Sequence, residues 1–95
     1  MEKTELASLL ISSLNAAVAV RGLPKNERDW IDGSYQLLLI LSTMSDQAVI
    51  ELHARNLMGE ALGLIKAVPP SRLIDHADLI SQANKIADHA RELIK

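Results

Sequence analysis

Two copies of an Asp-His-Ala triplet contain the residue types in this chain that most suggest chemistry. The triplet at 75–77 returns at 88–90, thirteen residues further on. A carboxylate beside an imidazole is typical of metal sites and of acid–base catalysis. On a helix, however, thirteen residues correspond to a rotation of about 140° and a rise of about 20 Å. His76 and His89 therefore cannot share a metal ion within one chain, and the spacing predicts no metal site.

Helix-end electrostatics account for the triplets instead. Carboxylates are favoured at the N-terminal end of a helix, where Asp75 and Asp78 fall in the predicted fourth helix. Cations are favoured toward the other end, which carries Lys85, His89, Arg91 and Lys95. Asp88–Arg91 and His89–Glu92 are predicted surface pairs, each worth about 0.2–0.5 kcal/mol. A surface that responds to pH through its histidines stays open as the alternative.

The remaining candidates for chemistry are weak. His53 flanks an apolar stripe, and Glu60 is about 10 Å further along the helix, too far to orient it. His53 is therefore interpreted as a boundary residue, with a ligand contact as the alternative. Gly59 and Gly63 are four residues apart, which indicates close contact between helices. No Gly-x-Ser-x-Gly motif or glycine-rich phosphate loop occurs, so we expect no enzyme, no cofactor and no metal.

A local cluster of cations lies in the connection before the second predicted helix. Arg21, Lys25 and Arg28 surround the start of that helix, where a phosphate or an acidic partner is favoured. Interleaved carboxylates weaken this field: Glu27, Asp29 and Asp32. The favoured prediction for this cluster is therefore a solvated loop. A site for a small anionic, nucleotide-like ligand is the alternative.

Composition and charge exclude several classes of protein. The 95 residues carry a net charge of −2, and neither half is basic: residues 1–44 have four basic and five acidic side chains, and residues 45–95 have six and seven. We therefore expect no nucleic-acid binding. No run reaches the roughly 18 apolar residues of a membrane span, and the N-terminus lacks the basic start of a secretory signal. Together with the absence of cysteine, this favours the cytoplasm of a bacterium, or of the host of a phage.

Helix signals divide the chain into one domain of about four helices. The hydrophobic residues amount to 48% of the chain but include one Trp, one Tyr and no Phe, which favours helices over strands. Gly22 is predicted to end the first helix, Asn26 and Ser45 to cap the next two, and the prolines at 69–70 to force a turn. The expected fold is an all-α antiparallel bundle over residues 1–95, with helices at about 4–21, 26–44, 46–67 and 72–94.

The third and fourth helices show the regular seam of a packed helix. In the third, apolar residues alternate at steps of four and three: Ile50, Ala54, Leu57, Ala61, Leu64 and Val68. In the fourth, the predicted seam is Leu73, Ala77, Ile80, Ala83 or Asn84, Ala87, Ala90 and Ile94. The alanines predict close approach of neighbouring helices.

The second helix has more apolar surface than one side of a helix can bury in a small bundle, and the first helix adds to the excess. Either the second helix is central, covered by the other three, or helices one and two carry a face that a partner covers. The second interpretation is favoured, with a homodimer as the first expectation. The predicted interface residues are Leu10, Leu14, Trp30, Tyr35, Leu37, Ile40, Leu41 and Met44.

The sequence thus specifies an architecture better than an activity. It favours a non-enzymatic helical interaction module, of the adaptor, regulator or inhibitor type, that self-associates or binds a partner protein through helices one and two. The alternative is a protein that binds or sequesters a small anionic ligand at Arg21, Lys25 and Arg28.

Overall fold

The computed structural model describes residues 2–18 and 23–94, and these form a four-helix bundle. The helices are α1 (Lys3–Ala17), α2 (Glu27–Ser42), α3 (Gln47–Ala67) and α4 (Ala77–Glu92), with a short 3₁₀ helix at Pro70–Arg72 before α4. The all-α bundle expected from the sequence is confirmed. The described residues span 42 × 25 × 17 Å, so the bundle is about as long as α3 with its flanking turns.

The connection from α1 to α2 begins earlier than expected. α1 ends at Ala17, and Val18 is extended, with φ −74° and ψ 126°. The Lys25 N–H donates to the Ala17 carbonyl at 2.9 Å, and Val18 forms an isolated antiparallel bridge with Pro24. The predicted end of the first helix at Arg21 is therefore too late. Gly22, its expected terminator, lies outside the described residues.

Side-chain caps fix the starts of α2 and α3. The Asn26 side chain accepts from the Asp29 N–H at 3.1 Å, which confirms the predicted cap of α2. α3 is capped by Asp46 rather than by the predicted Ser45. One Asp46 carboxylate oxygen accepts from the N–H groups of Ala48 and Val49 at 3.1 and 3.3 Å. A carboxylate also interacts with the positive end of the helix, which a serine hydroxyl cannot match.

α4 begins at Ala77, later than the expected start at about residue 72. The prolines are followed by the 3₁₀ helix and a turn, in which the His76 N–H donates to the Arg72 carbonyl at 3.3 Å. Asp75 accepts a bond from Arg72 Nε at 3.0 Å in this turn. Asp75 therefore belongs to the turn, while Asp78 lies in the first turn of α4 as predicted.

The helices are arranged with α2 and α3 in contact across the middle of the bundle. α1 packs on α2 and α3, and α4 packs on α3 and α2. In the described part of the chain α1 and α4 do not touch each other. The two helices therefore lie at opposite corners of the bundle, each with an outer side that no other helix covers.

The predicted seam of α3 is confirmed, because all six of its residues are buried. The seam of α4 is shifted by about one position. Its buried residues are Leu79, Ala83, Ile86, Ala87 and Ala90, whereas Leu73 and Ala77 are exposed and Ile80 is half-buried. Leu73 lies before α4, so helical spacing counted from it leads to Ala77 and Ile80 instead of to the buried side of the helix. The alternation Leu79, Ala83, Ile86, Ala90 has the same steps and is the one that packs.

α2 is one of the two central helices of the bundle, together with α3. It contacts each of the other three helices, and its buried residues are Trp30, Ile31, Ser34, Leu37, Leu38 and Leu41. The buried Ser34 hydroxyl donates to the Trp30 carbonyl at 2.7 Å, so this polar group is satisfied within the helix. Most of the apolar surface of α2 is thus covered by the chain itself, in line with the less favoured of the two interpretations.

Candidate functional site

The eight residues predicted to form an interface divide into two groups. Trp30, Leu37 and Leu41 are 0% exposed and Leu14 is 4% exposed, so these four belong to the core of a single chain. The other four are half-buried against that core: Leu10, Tyr35, Ile40 and Met44. A partner could not reach the first group without opening the bundle. An exposed interface must therefore be sought elsewhere than on the main stripe of α2.

Between positions 6 and 16, the outer side of α1 is exposed and uncharged. We call its exposed residues between positions 6 and 16 the α1 outer face; they are Leu6, Ser8, Leu9, Ser12, Ser13, Asn15 and Ala16. Leu9 is 55% exposed and Leu6 is 38% exposed. A shallow depression of about 420 Å³ lies beside Leu9, lined by Thr4, Glu5, Ser8, Leu9 and Ser12. Depletion of charge is a property of the buried centres of protein interfaces.

This surface was not among the predicted site residues, although the sequence contains a signal for it. Residues 6–20 include no Asp, Glu, Lys or Arg. A helix whose outer side faces water normally carries such residues. The sequence pattern by itself assigns this run only to the apolar excess of helices one and two.

The other large apolar side chains that are exposed are distributed over α2, α3 and the turn before α4. Leu39 lies on α2, Leu52 and Leu62 on α3, and Leu73 and Ile74 in the turn before α4. Single apolar side chains on a surface are common in monomeric proteins and indicate no site by themselves.

In the described part of the predicted anion site, Arg28 is paired with carboxylates. Arg28 forms an ion pair with Asp78 at 3.0 Å and lies 3.8 Å from Asp32. Lys25 is exposed. Arg21 lies outside the described residues. The two carboxylates around Arg28 compete with any bound anion, so no observation on these residues favours the ligand-binding alternative.

The repeated Asp-His triplets have two different surroundings. Nδ1 of the half-buried His76 lies within hydrogen-bonding distance of the Glu27 carboxylate on α2. His89 is exposed, and its ring meets Tyr35 edge-on, with 6.3 Å between centroids. The first histidine thus helps to fix the start of α4 against α2, and the second packs beside an aromatic ring. The predicted surface pair of Asp88 with Arg91 is present at 3.0 Å.

A contact that the sequence did not predict joins α2 to α3. The indole N–H of the fully buried Trp30 donates to a carboxylate oxygen of the half-buried Glu60. Burial raises the pKa of the Glu60 carboxyl, and the hydrogen bond from Trp30 opposes that shift. The two residues are thirty positions apart in the chain and lie on different helices.

Glu60 lines a groove between the C-terminal halves of α1 and α3. The groove has a volume of about 880 Å³ and is lined by Asn15, Val18, Arg55, Asn56, Gly59, Glu60, Gly63, Leu64, Lys66 and Ala67. A Cβ atom added at Gly59 or at Gly63 would meet no atom within 4 Å. The prediction that these glycines permit close contact between helices of the bundle is therefore wrong. They border open space.

Within residues 2–18 and 23–94, no cluster of three His, Asp or Glu side chains is placed to hold a metal ion. No helix in the same part of the chain has both the length and the apolar character needed to cross a bilayer.

Comparisons with protein-family models, with curated proteins and with solved structures gave no match for this chain.

Proposed function

We propose that this protein is a non-enzymatic helical interaction module, of the adaptor, regulator or inhibitor type, that acts in the cytoplasm and self-associates through the α1 outer face. The observation that carries the proposal is an exposed helix face on which Leu6 and Leu9 lie open and no residue is charged. The proposed interface thus lies on the first helix, with α2 as its support within the core rather than as its surface.

The cost of leaving this face in water supports its use as an interface. Burial of apolar surface contributes about 25 cal/mol per Å², and an exposed leucine that a partner covers contributes about 1.5–3 kcal/mol at most. Ser12, Ser13 and Ala16 are small, so a second helix can approach the α1 backbone closely at these positions. The depression beside Leu9 offers a place for a side chain of that helix.

A second copy of the chain fits this face better than a charged partner does. With no charge between positions 6 and 16, two copies related by a two-fold axis bring no like charges together, and a charged partner would leave its own groups unpaired. An antiparallel crossing near Leu9 places the two Leu9 side chains against each other. Each Glu5, about one turn from Leu9, then lies opposite the uncharged Ser13 of the other copy rather than opposite a second carboxylate.

The test is a comparison of Leu9→Glu with Leu52→Glu. Both leucines lie on helices, and they are 55% and 66% exposed, so both substitutions should leave the fold intact. Sedimentation equilibrium should show a dimer for the unmodified protein and for Leu52→Glu. Leu9→Glu should be monomeric at the same concentration, because two buried carboxylates would face each other across the axis.

Circular dichroism provides the control for folding in both variants. If the unmodified protein is monomeric at every concentration up to the millimolar range, self-association through α1 is wrong. A dimer that survives Leu9→Glu but dissociates on Leu52→Glu would move the interface to α3.

A further inference from the structure

The groove between α1 and α3 contains space that the chain does not fill. Gly59 and Gly63 lie in the interior of α3, where glycine is less favourable than every residue except proline. Neither glycine is needed for packing within the described part of the chain, because a Cβ atom at either position would meet no atom within 4 Å. The two exposed glycines therefore leave helix backbone bare beside the groove, where a flat molecule can lie.

Two cations border the groove without a carboxylate partner. Arg55 and Lys66 are exposed groove residues, and neither forms an ion pair within the described part of the chain. At about 100° per residue, they lie within about 20° of each other on α3. The other described arginines each pair with an aspartate; they are Arg28, Arg72 and Arg91. Arg55 and Lys66 are therefore free to meet an anion on one side of the groove.

Glu60 lies on the other side of the same groove. It is about 120–140° round α3 from the two cations, and both glycines lie between. On a helix about 10–12 Å in diameter, this angle corresponds to about 9–10 Å across the surface. One Glu60 carboxylate oxygen accepts the Trp30 indole N–H, but a carboxylate has about four acceptor positions. The groove thus offers an acceptor on one side, cations on the other and bare backbone between them.

These features specify the chemistry of a ligand. Its anionic group belongs beside the two cations, and a phosphate suits both arginine and lysine. Beside Glu60 it needs N–H donors, and neutral donors are favoured because the two cations oppose the charge of an ammonium group. The Watson–Crick edge of guanine presents two adjacent N–H donors, which match the two oxygens of a carboxylate. The corresponding edges of adenine and cytosine place an acceptor next to the donor.

A second copy of the chain fits the groove less well than such a ligand. In an antiparallel pair of α3 helices that cross between Gly59 and Gly63, Arg55 of each copy lies opposite position 67 of the other, next to its Lys66. In a parallel pair each cation meets its own counterpart. Both arrangements bring like charges together, which disfavours association.

We propose that the α1–α3 groove binds a guanine mononucleotide, whose base edge donates to Glu60 and whose phosphate lies beside Arg55 and Lys66. The side-chain amides of Asn15 and Asn56 also line the groove and can bond the guanine carbonyl or the ribose. The groove shares only Asn15 with the α1 outer face, so this inference does not depend on the proposed dimer.

A titration of the isotope-labelled protein with GMP, followed by NMR, tests the proposal. Trp30 is the only tryptophan of the chain and its indole N–H donates to Glu60, so one indole signal reports on the site. GMP should shift this signal to saturation. It should bind at least about tenfold more tightly than AMP, because AMP places an acceptor against the carboxylate. IMP, which keeps one of the two donors, should lie between them.

Substitutions test the two sides of the groove separately. Glu60→Gln keeps an acceptor for Trp30 and should reduce the preference for GMP over AMP to within about twofold. Arg55→Gln combined with Lys66→Gln should weaken GMP binding at least about tenfold. Lys85→Gln, at an exposed lysine on α4 outside the groove, is the control and should change nothing.

The inference is overturned if GMP up to millimolar concentration leaves the Trp30 signal unmoved, or if GMP and AMP bind equally. Inorganic phosphate that binds as tightly as GMP would also overturn it, since the base would then contribute nothing. Should Glu60→Gln fail to fold, Gly63→Leu decides: its side chain should fill the groove and abolish binding, and retained affinity would place the nucleotide elsewhere. Leu9→Glu should bind GMP as the unmodified protein does, so a failure of the proposed dimer leaves this test unaffected.

Discussion

α1 and α4 occupy equivalent corners of the bundle and are nearly equal in length, yet their outer sides differ. The exposed side of α4 is charged, through Asp78, Lys85, Asp88, Arg91 and Glu92. The exposed side of α1 has no charge from position 6 to position 16. α4 also buries five residues, whereas α1 buries Ala7, Ile11 and Leu14.

Polar contacts follow the same division. The start of α4 is fixed to α2 by the pairs Glu27–His76 and Arg28–Asp78, and further along the helix the Tyr35 hydroxyl donates to Gln82 at 2.8 Å. α1 is attached mainly by apolar contacts with α2 and α3. α4 therefore has the pattern of a helix that buries one side in the bundle and faces solvent with the other. The outer side of α1 is the one that we propose a second copy of the chain covers.

The comparison predicts unequal costs of truncating the core on the two sides. Ile86→Ala on α4 should lower the free energy of unfolding by an amount near the top of the usual 2–5 kcal/mol range, because Ile86 is 0% exposed and lies where α4 packs on α3. Ile11→Ala on α1 should cost less, near about 2 kcal/mol, because a lightly anchored helix can close part of the cavity.

Urea unfolding followed by circular dichroism measures both values. The measurements belong in the Leu9→Glu background, so that association does not add to stability. Equal costs, or a larger cost for Ile11→Ala, would show that α1 is anchored as firmly as α4.

The second prediction places the same charge on the two outer sides. Ser12→Lys on α1 should weaken the dimer at least about tenfold, since lysines from both copies would then meet near the axis without a counter-ion. Ser81→Lys on α4 should leave the dissociation constant unchanged, because that side is already charged. Lysine is a good helix former, so neither change should disturb the fold. Light scattering after size exclusion gives the masses. An unaffected Ser12→Lys dimer would exclude the α1 outer face.

Glycine substitutions test whether the α1–α3 groove is free space in the single chain. In the monomeric Leu9→Glu background, Gly59→Ala and Gly63→Ala should each stabilise the protein by about 0.5–1 kcal/mol, because the added methyl groups meet no atom. Gly33→Ala is the matched control on α2. There a Cβ atom would lie 3.0 Å from the Leu14 side chain, so the gain should be absent or reversed. Thermal unfolding distinguishes the three variants, and a loss of stability at position 59 or 63 would contradict an open groove.

The sequence predicted best those features that depend on neighbouring residues. The seam of α3 follows from a strict alternation, and the cap of α2 follows from a pair three residues apart. The start of α4 was misplaced because the turn after the prolines at 69–70 uses Arg72 and Asp75 in a local bond, which removes Asp75 from the helix. Local patterns cannot show which of several neighbouring polar residues will cap a helix and which will form a bond in the preceding turn.

The candidate site depended on tertiary structure and was therefore predicted less well. The apolar excess of α2 was recognised, but the sequence of a helix does not distinguish burial by its own chain from burial by a partner. Trp30 and Glu60 lie on different helices, and no pattern in either one indicates their hydrogen bond. The uncharged side of α1 does have a signal in the sequence, because residues 6–20 contain no Asp, Glu, Lys or Arg.

The smallest predicted effect concerns the groove carboxylate. Burial raises the pKa of Glu60 above its usual value, so in the pH range just above that value the folded state holds a proton that the unfolded state has lost. The contribution of Glu60 to stability is therefore fully present below the ordinary glutamate pKa and is lost as the pH rises through the raised pKa.

Glu60→Gln removes this titration and keeps an acceptor for Trp30. In the Leu9→Glu background it should be more stable than its parent at neutral pH and gain nothing at acidic pH. Urea midpoints across this pH range provide the measurement. A parent whose advantage over Glu60→Gln grows with pH would instead mean that a cation within the same chain stabilises the Glu60 carboxylate.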